Sequence, residues 1–115
     1  GCVAALDHGD AFIERQVLMA RHRRDLTVLA LRQLPGLQFE VPRGAFYLFF
    51  GIAGMTDSAA TVRRLIDEAR VGFAPGNTFG PGGEGHLRMC YLKDLGPLEE
   101  ALDRFVAWMK KNQPA

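Results

Sequence analysis

Prolines and glycines break this chain at four points, and these breaks limit how long any helix or strand can be. They are Pro35-Gly36, Pro42-Arg43-Gly44, Pro75-Gly76 and Gly96-Pro97. Proline cannot continue a helix or donate to a sheet, and glycine favours turns, so each break ends the element before it. The core must therefore be assembled from several short elements that alternate along the sequence.

Helical periodicity occurs in three segments. We expect Asp10 to cap a long helix that runs to about Gln33, and one of Thr56, Asp57 or Ser58 to cap a second helix. A third helix begins at Gly96-Pro97, where the missing N–H of proline costs little. The apolar positions expected to face the core are Ile13, Val17, Ala20 and Leu29–Leu34 in the first helix, Val62, Leu65, Ile66 and Ala69 in the second, and Leu98, Leu102, Phe105, Trp108 and Met109 in the third.

Four short segments between the helices are predicted to be strands. They are Leu37–Val41, the aromatic run at 45–50, Val71–Ala74 and His86–Leu92. In the last of them, alternation places Leu87, Met89 and Tyr91 on one face and His86, Arg88 and Cys90 on the other. The order of helix, two strands, helix, two strands and helix predicts an α/β two-layer sandwich. Helices would cover one face of a small mixed or antiparallel sheet.

Length and charge restrict the function classes. The 115 residues suit a single domain spanning 1–115. A formal net charge of +1 argues against a dedicated nucleic-acid surface, and no apolar run approaches the length of a membrane span. The two cysteines lie far apart and outside any CxxC motif, so we expect reduced thiols and a cytoplasmic protein.

The glycine-rich loop at 80–85 satisfies the pattern GxGxxG but lacks its usual context. A dinucleotide site needs a helix to begin at the last glycine, whereas here a strand is predicted to follow and proline lies inside the turn. We therefore interpret the loop as a connection between strands. The three histidines show no spacing typical of a metal site, and Arg21–Arg24 is more typical of a solvated helix face than of a phosphate site.

Arg88 is the residue best suited to bind a ligand. A mid-strand arginine after a glycine loop can hold a carboxylate with its two-pronged guanidinium, but spacing alone favours an edge-strand arginine paired with a surface acid. The aromatic run at 45–50 is most simply a core strand. Phe46 or Tyr47 could instead stack on a flat ligand.

Two stretches taken together resemble a known family. Pro42–Phe49, and Val71–Gly80 followed by Gly83–Arg88, fit the patterns P-x-G-A-F-Y and PG-x-x-FG…G-x-R. They resemble the C-terminal domain of fold-type I aminotransferases of the aspartate aminotransferase family, over essentially the whole chain. Asn77-Thr78 stands where serine and alanine are common in that family, which leaves the substrate preference open.

The resemblance implies a function and a set of site residues. Arg88 would bind the α-carboxylate of an amino acid substrate, Gly44 would lie near the mouth of the site, and Asn77 and Phe79 would lie in the loop facing it. The cofactor would be pyridoxal 5'-phosphate, with amino acids and 2-oxo acids as substrates and a homodimer as the assembly. The resemblance implies no metal.

The same resemblance implies that the cofactor-binding residues lie outside this sequence, in the chain's own large domain. We therefore expect no catalytic or cofactor-binding residue among the 115, and no transaminase activity from this chain alone. Related lyase or racemase chemistry on the same fold stays open. The alternatives are a free-standing α/β regulatory module that binds a small carboxylate, and a protein- or RNA-binding module that works through the basic helix at 21–24.

Overall fold

Four antiparallel strands form one layer of the fold in a computed structural model that describes residues 1–112. Their bounds are β1 (Leu37–Gln38), β2 (Tyr47–Ile52), β3 (Ala74–Pro75) and β4 (His86–Cys90). The order across the sheet is β1-β2-β4-β3. The central pair, β2 and β4, is in register from Tyr47 opposite Cys90 to Gly51 opposite His86.

Helices form the second layer on one face of this sheet. Their bounds are α1 (Cys2–His8), α2 (Asp10–Leu31), α3 (Ser58–Arg64) and α4 (Leu95–Asn112), and a π-helical turn at Leu65–Ala69 extends α3. The element order and the one-sided cover confirm the predicted α/β two-layer sandwich. The sheet is antiparallel throughout.

The core lies between the two layers and is built around aromatic side chains. On β4, Leu87 and Met89 are buried, whereas His86, Arg88 and Cys90 lie on the outer face at intermediate exposure, as alternation predicts. The rings of Phe50, Phe73 and Phe105 contact one another at centroid distances of 4.9–5.9 Å. All five predicted inner positions of α4 are buried: Leu98, Leu102, Phe105, Trp108 and Met109.

Asp10 does not cap the first long helix as predicted. Gly9 precedes α2 in a near-helical conformation, with φ −88° and ψ −6°, and Asp10 is the first residue of the helix. A Cβ at Gly9 would lie 2.2 Å from the carbonyl oxygen of Ala5, so only glycine allows this close passage. As a result, α1 runs into α2 with an interruption of one residue.

Some predicted core positions face solvent. In α2 the buried residues are Thr27, Val28 and Leu31, whereas the predicted Ile13, Val17 and Leu29 are exposed. Ile66 is also exposed. The π-helical turn adds a residue per turn, which rotates Ile66 away from the face that buries Val62 and Leu65.

The strands are shorter than predicted or displaced along the chain. The segment at 37–41 pairs only at Leu37–Gln38, and the third strand is Ala74–Pro75 rather than Val71–Ala74. The second strand begins at Tyr47 because Ala45 adopts a left-handed conformation with φ 56°, which breaks extended pairing. The buried Tyr91 hydroxyl donates to the carbonyl of Ala45 at 3.2 Å and so stabilises this turn.

Of the three candidate caps for the second helix, Asp57 is the one used. Its Oδ1 accepts a hydrogen bond from the amide of Ala60 at 2.8 Å. Asp57→Ala should lower the free energy of unfolding by about 1 kcal/mol, the usual cost of losing a helix cap. Urea denaturation of the purified protein measures this change. Asp57→Asn should retain most of the stability, and a loss of equal size in Thr56→Ala would contradict the assignment.

Candidate functional site

Arg88 lies on the outer face of the sheet with its guanidinium close to two aromatic rings. Its Cζ is 4.3 Å from the ring centroid of Tyr47 and 4.3 Å from that of Phe79. Within residues 1–112 the guanidinium makes no hydrogen bond and no ion pair. The predicted alternative, a surface acid paired with Arg88, is therefore not found in the described part of the chain.

This arrangement leaves the guanidinium available to a ligand. Two rings contact the guanidinium carbon, and its N–H groups have no hydrogen-bond partner among residues 1–112. A carboxylate is the group that matches this fork, because its two oxygens can accept two parallel N–H bonds. Tyr47 therefore stacks on Arg88 itself, where the sequence suggested stacking on a flat ligand.

Further aromatic groups surround the Arg88–Phe79 contact. The ring of Phe49 lies edge-on to Phe79, with centroids 6.0 Å apart, and stacks on the imidazole of His86 at 4.9 Å. Tyr47, Phe49 and His86 also line an open depression of about 540 Å³ on the same face of the sheet. The guanidinium thus sits at the edge of a surface that favours apolar or aromatic groups.

Phe79 reaches Arg88 from the connection between β3 and β4. This segment contains 3₁₀ turns at Gly76–Phe79 and Pro81–Gly83 and leads directly into β4, so no helix follows the GxGxxG pattern. Asn77 lies in the same segment with an exposed side chain, and its amide donates to the Oγ of Ser58 at 3.3 Å. The structure therefore brings Phe79 to Arg88, whereas Asn77 contacts α3 through its backbone.

Glu84 binds the end of this connection to the start of α3. Its Oε1 accepts from the amide of Ser58 at 2.7 Å and from the amide of Gly85 at 2.9 Å. The amides of Gly85 and Ser58 hold the pKa of the Glu84 carboxyl below its usual range. Sequence reasoning gave Glu84 no role. The bond from Ser58 spans 26 positions of the sequence, and no local pattern indicates it.

Gly44 takes no part in the Arg88 contacts. It lines a cavity of about 200 Å³ together with Arg24, Ala45 and Tyr91. A Cβ built at Gly44 would meet nothing within 4 Å, so the described residues do not require glycine there. A requirement for glycine at this position would have to come from a group outside residues 1–112.

The basic run of α2 is held by contacts within the domain. Arg23 donates from Nε to the carbonyl of Lys93 at 3.1 Å, and Arg24 donates to Asp25 and to the carbonyl of Pro42. These bonds tie α2 to the segments that flank β2 and β4. They account for the two arginines without a nucleic-acid partner.

A larger cavity of about 620 Å³ lies between α3 and α4, where Arg64, Trp108 and Asp57 are among its lining residues. Its charged groups already have partners. Arg64 pairs with Glu68 at 2.9 Å, and Trp108 donates to Glu68 at 2.7 Å. Because Asp57 caps α3, this cavity has no free charged group comparable with Arg88 among the described residues.

The described residues do not fit pyridoxal phosphate or a metal ion. The lysines are Lys93, Lys110 and Lys111, and none of them lines the three concavities. Residues 1–112 contain no group of three or more His, Cys, Asp or Glu side chains placed to hold a metal. Over the same range, no helix has both the length and the apolarity needed to cross a membrane.

Comparison with known proteins gives a consistent result. No family model matches the chain. The chain is 38% identical over 103 residues to LL-diaminopimelate aminotransferase of Nitratidesulfovibrio vulgaris. The matched region covers 89% of the chain and 26% of the relative. The chain is 34% identical to aspartate aminotransferase of Rhizobium meliloti, covering 91% of the chain and 28% of the relative.

Solved structures agree with the sequence relatives. Alanine aminotransferase from Pyrococcus furiosus superposes with a TM-score of 0.83 at 33% identity, over 89% of this chain and 26% of that one. Aspartate aminotransferase from Rhizobium meliloti gives 0.81 at 31% identity, over 95% and 30%. The chain spans about a quarter of the length of the curated relatives it matches.

Proposed function

Because this chain belongs to the fold-type I aminotransferase family, we propose that it forms the small C-terminal domain of a longer aminotransferase. The whole enzyme would use pyridoxal 5'-phosphate to transfer an amino group between an amino acid and a 2-oxo acid. The part of the protein described by residues 1–112 would contribute the substrate-binding face rather than the cofactor site.

One observation supports this role above the others: Arg88 is half-buried, contacts two aromatic rings and lacks an acidic partner within the described residues. In the proposed site its N–H edge binds the α-carboxylate of the substrate. Contact with Tyr47 and Phe79 restricts the movement of the guanidinium, which favours one orientation of the bound carboxylate. Phe79 also excludes water from one side of the guanidinium, which strengthens the ion pair. The family resemblance further implies that Asn77 faces the site from the segment that carries Phe79 and that Gly44 lies near its mouth.

Pyridoxal phosphate, when bound in the whole enzyme, supplies an electron sink for the loss of the α-proton. The lysines of this chain do not fit that cofactor, so its binding residues would belong to the large domain. It follows that the 115-residue chain alone should show no transaminase activity. Its part in the reaction is to bind the carboxylate and to hold the substrate in a fixed orientation.

An exposed apolar helix face supports a large domain as the partner. Along α1 and the first half of α2, apolar side chains are 49–82% exposed, an unusual density for a surface that stays in water. They are Val3, Leu6, Phe12, Ile13, Val17 and Leu18. We propose that the large domain covers this face, that the enzyme is a homodimer and, from its two free thiols, that it is cytoplasmic.

The visible spectrum of the full-length protein, recorded before and after adding mixed amino acids, tests the proposed function. We expect a cofactor band that converts to the pyridoxamine form, because transamination leaves the amino group on the cofactor. The 115-residue chain, treated in the same way, should remain colourless. A full-length protein that takes up no pyridoxal phosphate would contradict the proposal and favour the carboxylate-binding regulatory module.

A further inference from the structure

The segment that carries Phe79 is attached to Ser58, the first residue of α3, by two hydrogen bonds, and a third bond within the segment shares the same Glu84 oxygen. Glu84 accepts from the amides of Ser58 and Gly85, and the Oγ of Ser58 accepts from the amide of Asn77. Ser58 is fully buried, so its hydroxyl is fixed in position. These contacts hold the segment at both ends, at Asn77 and at Glu84–Gly85.

Two glycines allow the two ends of the segment to approach each other closely. A Cβ at Gly76 would lie 2.0 Å from the carbonyl oxygen of Gly83, and a Cβ at Gly83 would lie 2.0 Å from that of Gly76. The backbone therefore crosses itself at a distance that only glycine permits. The segment is therefore held at its ends and closed at its base, and this restricts the short loop that brings Phe79 into contact with Arg88.

We propose that Glu84 is a positioning residue for the carboxylate site. By binding the segment to α3, Glu84 holds Phe79 against the guanidinium of Arg88 and so fixes the plane in which that guanidinium meets a carboxylate. This inference depends on the proposed function of Arg88. It adds a residue that itself touches neither substrate nor cofactor.

The chemistry of Glu84 suits this task. A single carboxylate oxygen accepts two amide hydrogen bonds, and one of the donors lies at the start of α3, where the helix dipole favours a negative charge. Glutamine can still accept both bonds through its amide oxygen, whereas alanine can accept neither. Comparing Glu84→Ala with Glu84→Gln therefore separates the loss of these two hydrogen bonds, the anchor of the segment, from the effect of any substitution at position 84.

The test uses the full-length enzyme and two readouts. The first is hydrogen–deuterium exchange of the amides at 76–85. The second is the inhibition constant of propanoate, a carboxylate that lacks the amino group needed for reaction. In Glu84→Ala we expect faster exchange and an inhibition constant raised about tenfold, the size of a lost hydrogen bond to a charged group. Glu84→Gln should stay within about threefold of the parent, and Glu99→Ala, an exposed acid on α4, should not differ from it.

The outcomes distinguish this inference from the proposed function. Weaker propanoate binding in Arg88→Lys, together with unchanged binding in Glu84→Ala, would overturn the role of Glu84 alone. Unchanged binding in Arg88→Lys would overturn the carboxylate site itself. If Glu84→Ala does not fold, Phe79→Ala serves instead. It removes the ring while leaving the anchor, so undiminished propanoate binding in that variant would overturn the inference.

Discussion

Arg88→Lys is expected to lower kcat/KM of the full-length protein for amino acid substrates by about 10²-fold. The substitution keeps the positive charge but removes one of two parallel N–H bonds, worth roughly 1.5–3 kcal/mol for a charged partner. It also replaces a planar group that packs against the rings of Tyr47 and Phe79 by a tetrahedral ammonium that packs against them less well. KM should rise because the substrate is held less tightly, and kcat should fall because its orientation is less defined. Steady-state kinetics over a panel of amino acids measures the change.

Arg63→Lys is the matched control for this experiment. Arg63 is an exposed arginine of α3, and the same substitution there should leave kcat/KM within about twofold. An unchanged kcat/KM in Arg88→Lys would show that the guanidinium does not bind the substrate carboxylate. A loss restricted to one substrate, with others unaffected, would assign Arg88 to side-chain recognition instead.

The second large effect is expected in the core. Phe105→Ala should lower the free energy of unfolding by about 3–5 kcal/mol, because the side chain is fully buried and alanine leaves a cavity. The rings of Phe50 and Phe73 contact Phe105 at 5.7 and 4.9 Å, and both would lose a packing partner. Denaturant unfolding of the purified protein measures the loss. A large part of the total stability of a domain of this size would disappear.

Two comparison variants make the second prediction specific. Phe105→Leu retains much of the volume and should cost less than half as much as alanine. Ile66→Ala removes an exposed apolar side chain and should cost less than about 1 kcal/mol. Equal losses in Ile66→Ala and Phe105→Ala would mean that the core is not centred on the aromatic cluster.

Local patterns predicted much of this fold because they depend on one element at a time. Alternation placed Leu87 and Met89 inside and Arg88 outside, and helical spacing identified the buried face of α4. Periodicity failed at Ile66, since a π-helical turn changes the number of residues per turn without a recognisable sequence signal. Periodicity also failed for Ile13 and Val17. Helical spacing identifies an apolar face of a helix but does not show whether other residues of this chain bury that face.

The candidate site was predictable only in part, for a related reason. Arg88 was identified from its place in a strand and from the family resemblance. Its confinement by Tyr47 and Phe79 depends on where a loop lies above the sheet, which no local pattern fixes. The hydrogen bond from Ser58 to Glu84 joins segments far apart in the sequence, so only the three-dimensional structure reveals it.

α1 and α2 follow each other with an interruption of one residue and form a long helical arm of the domain. At 1.5 Å per residue the helical stretch from Cys2 to Leu31 has a contour length of about 45 Å, and its buried residues all lie in the last two turns. A tilt of the sheet layer by about 5° would therefore sweep the far end through about 4 Å over that length. In the chain without its large domain, small tilts of the sheet layer would therefore give large displacements at Cys2. This exposed thiol lies at the tip, where an attached probe would report them.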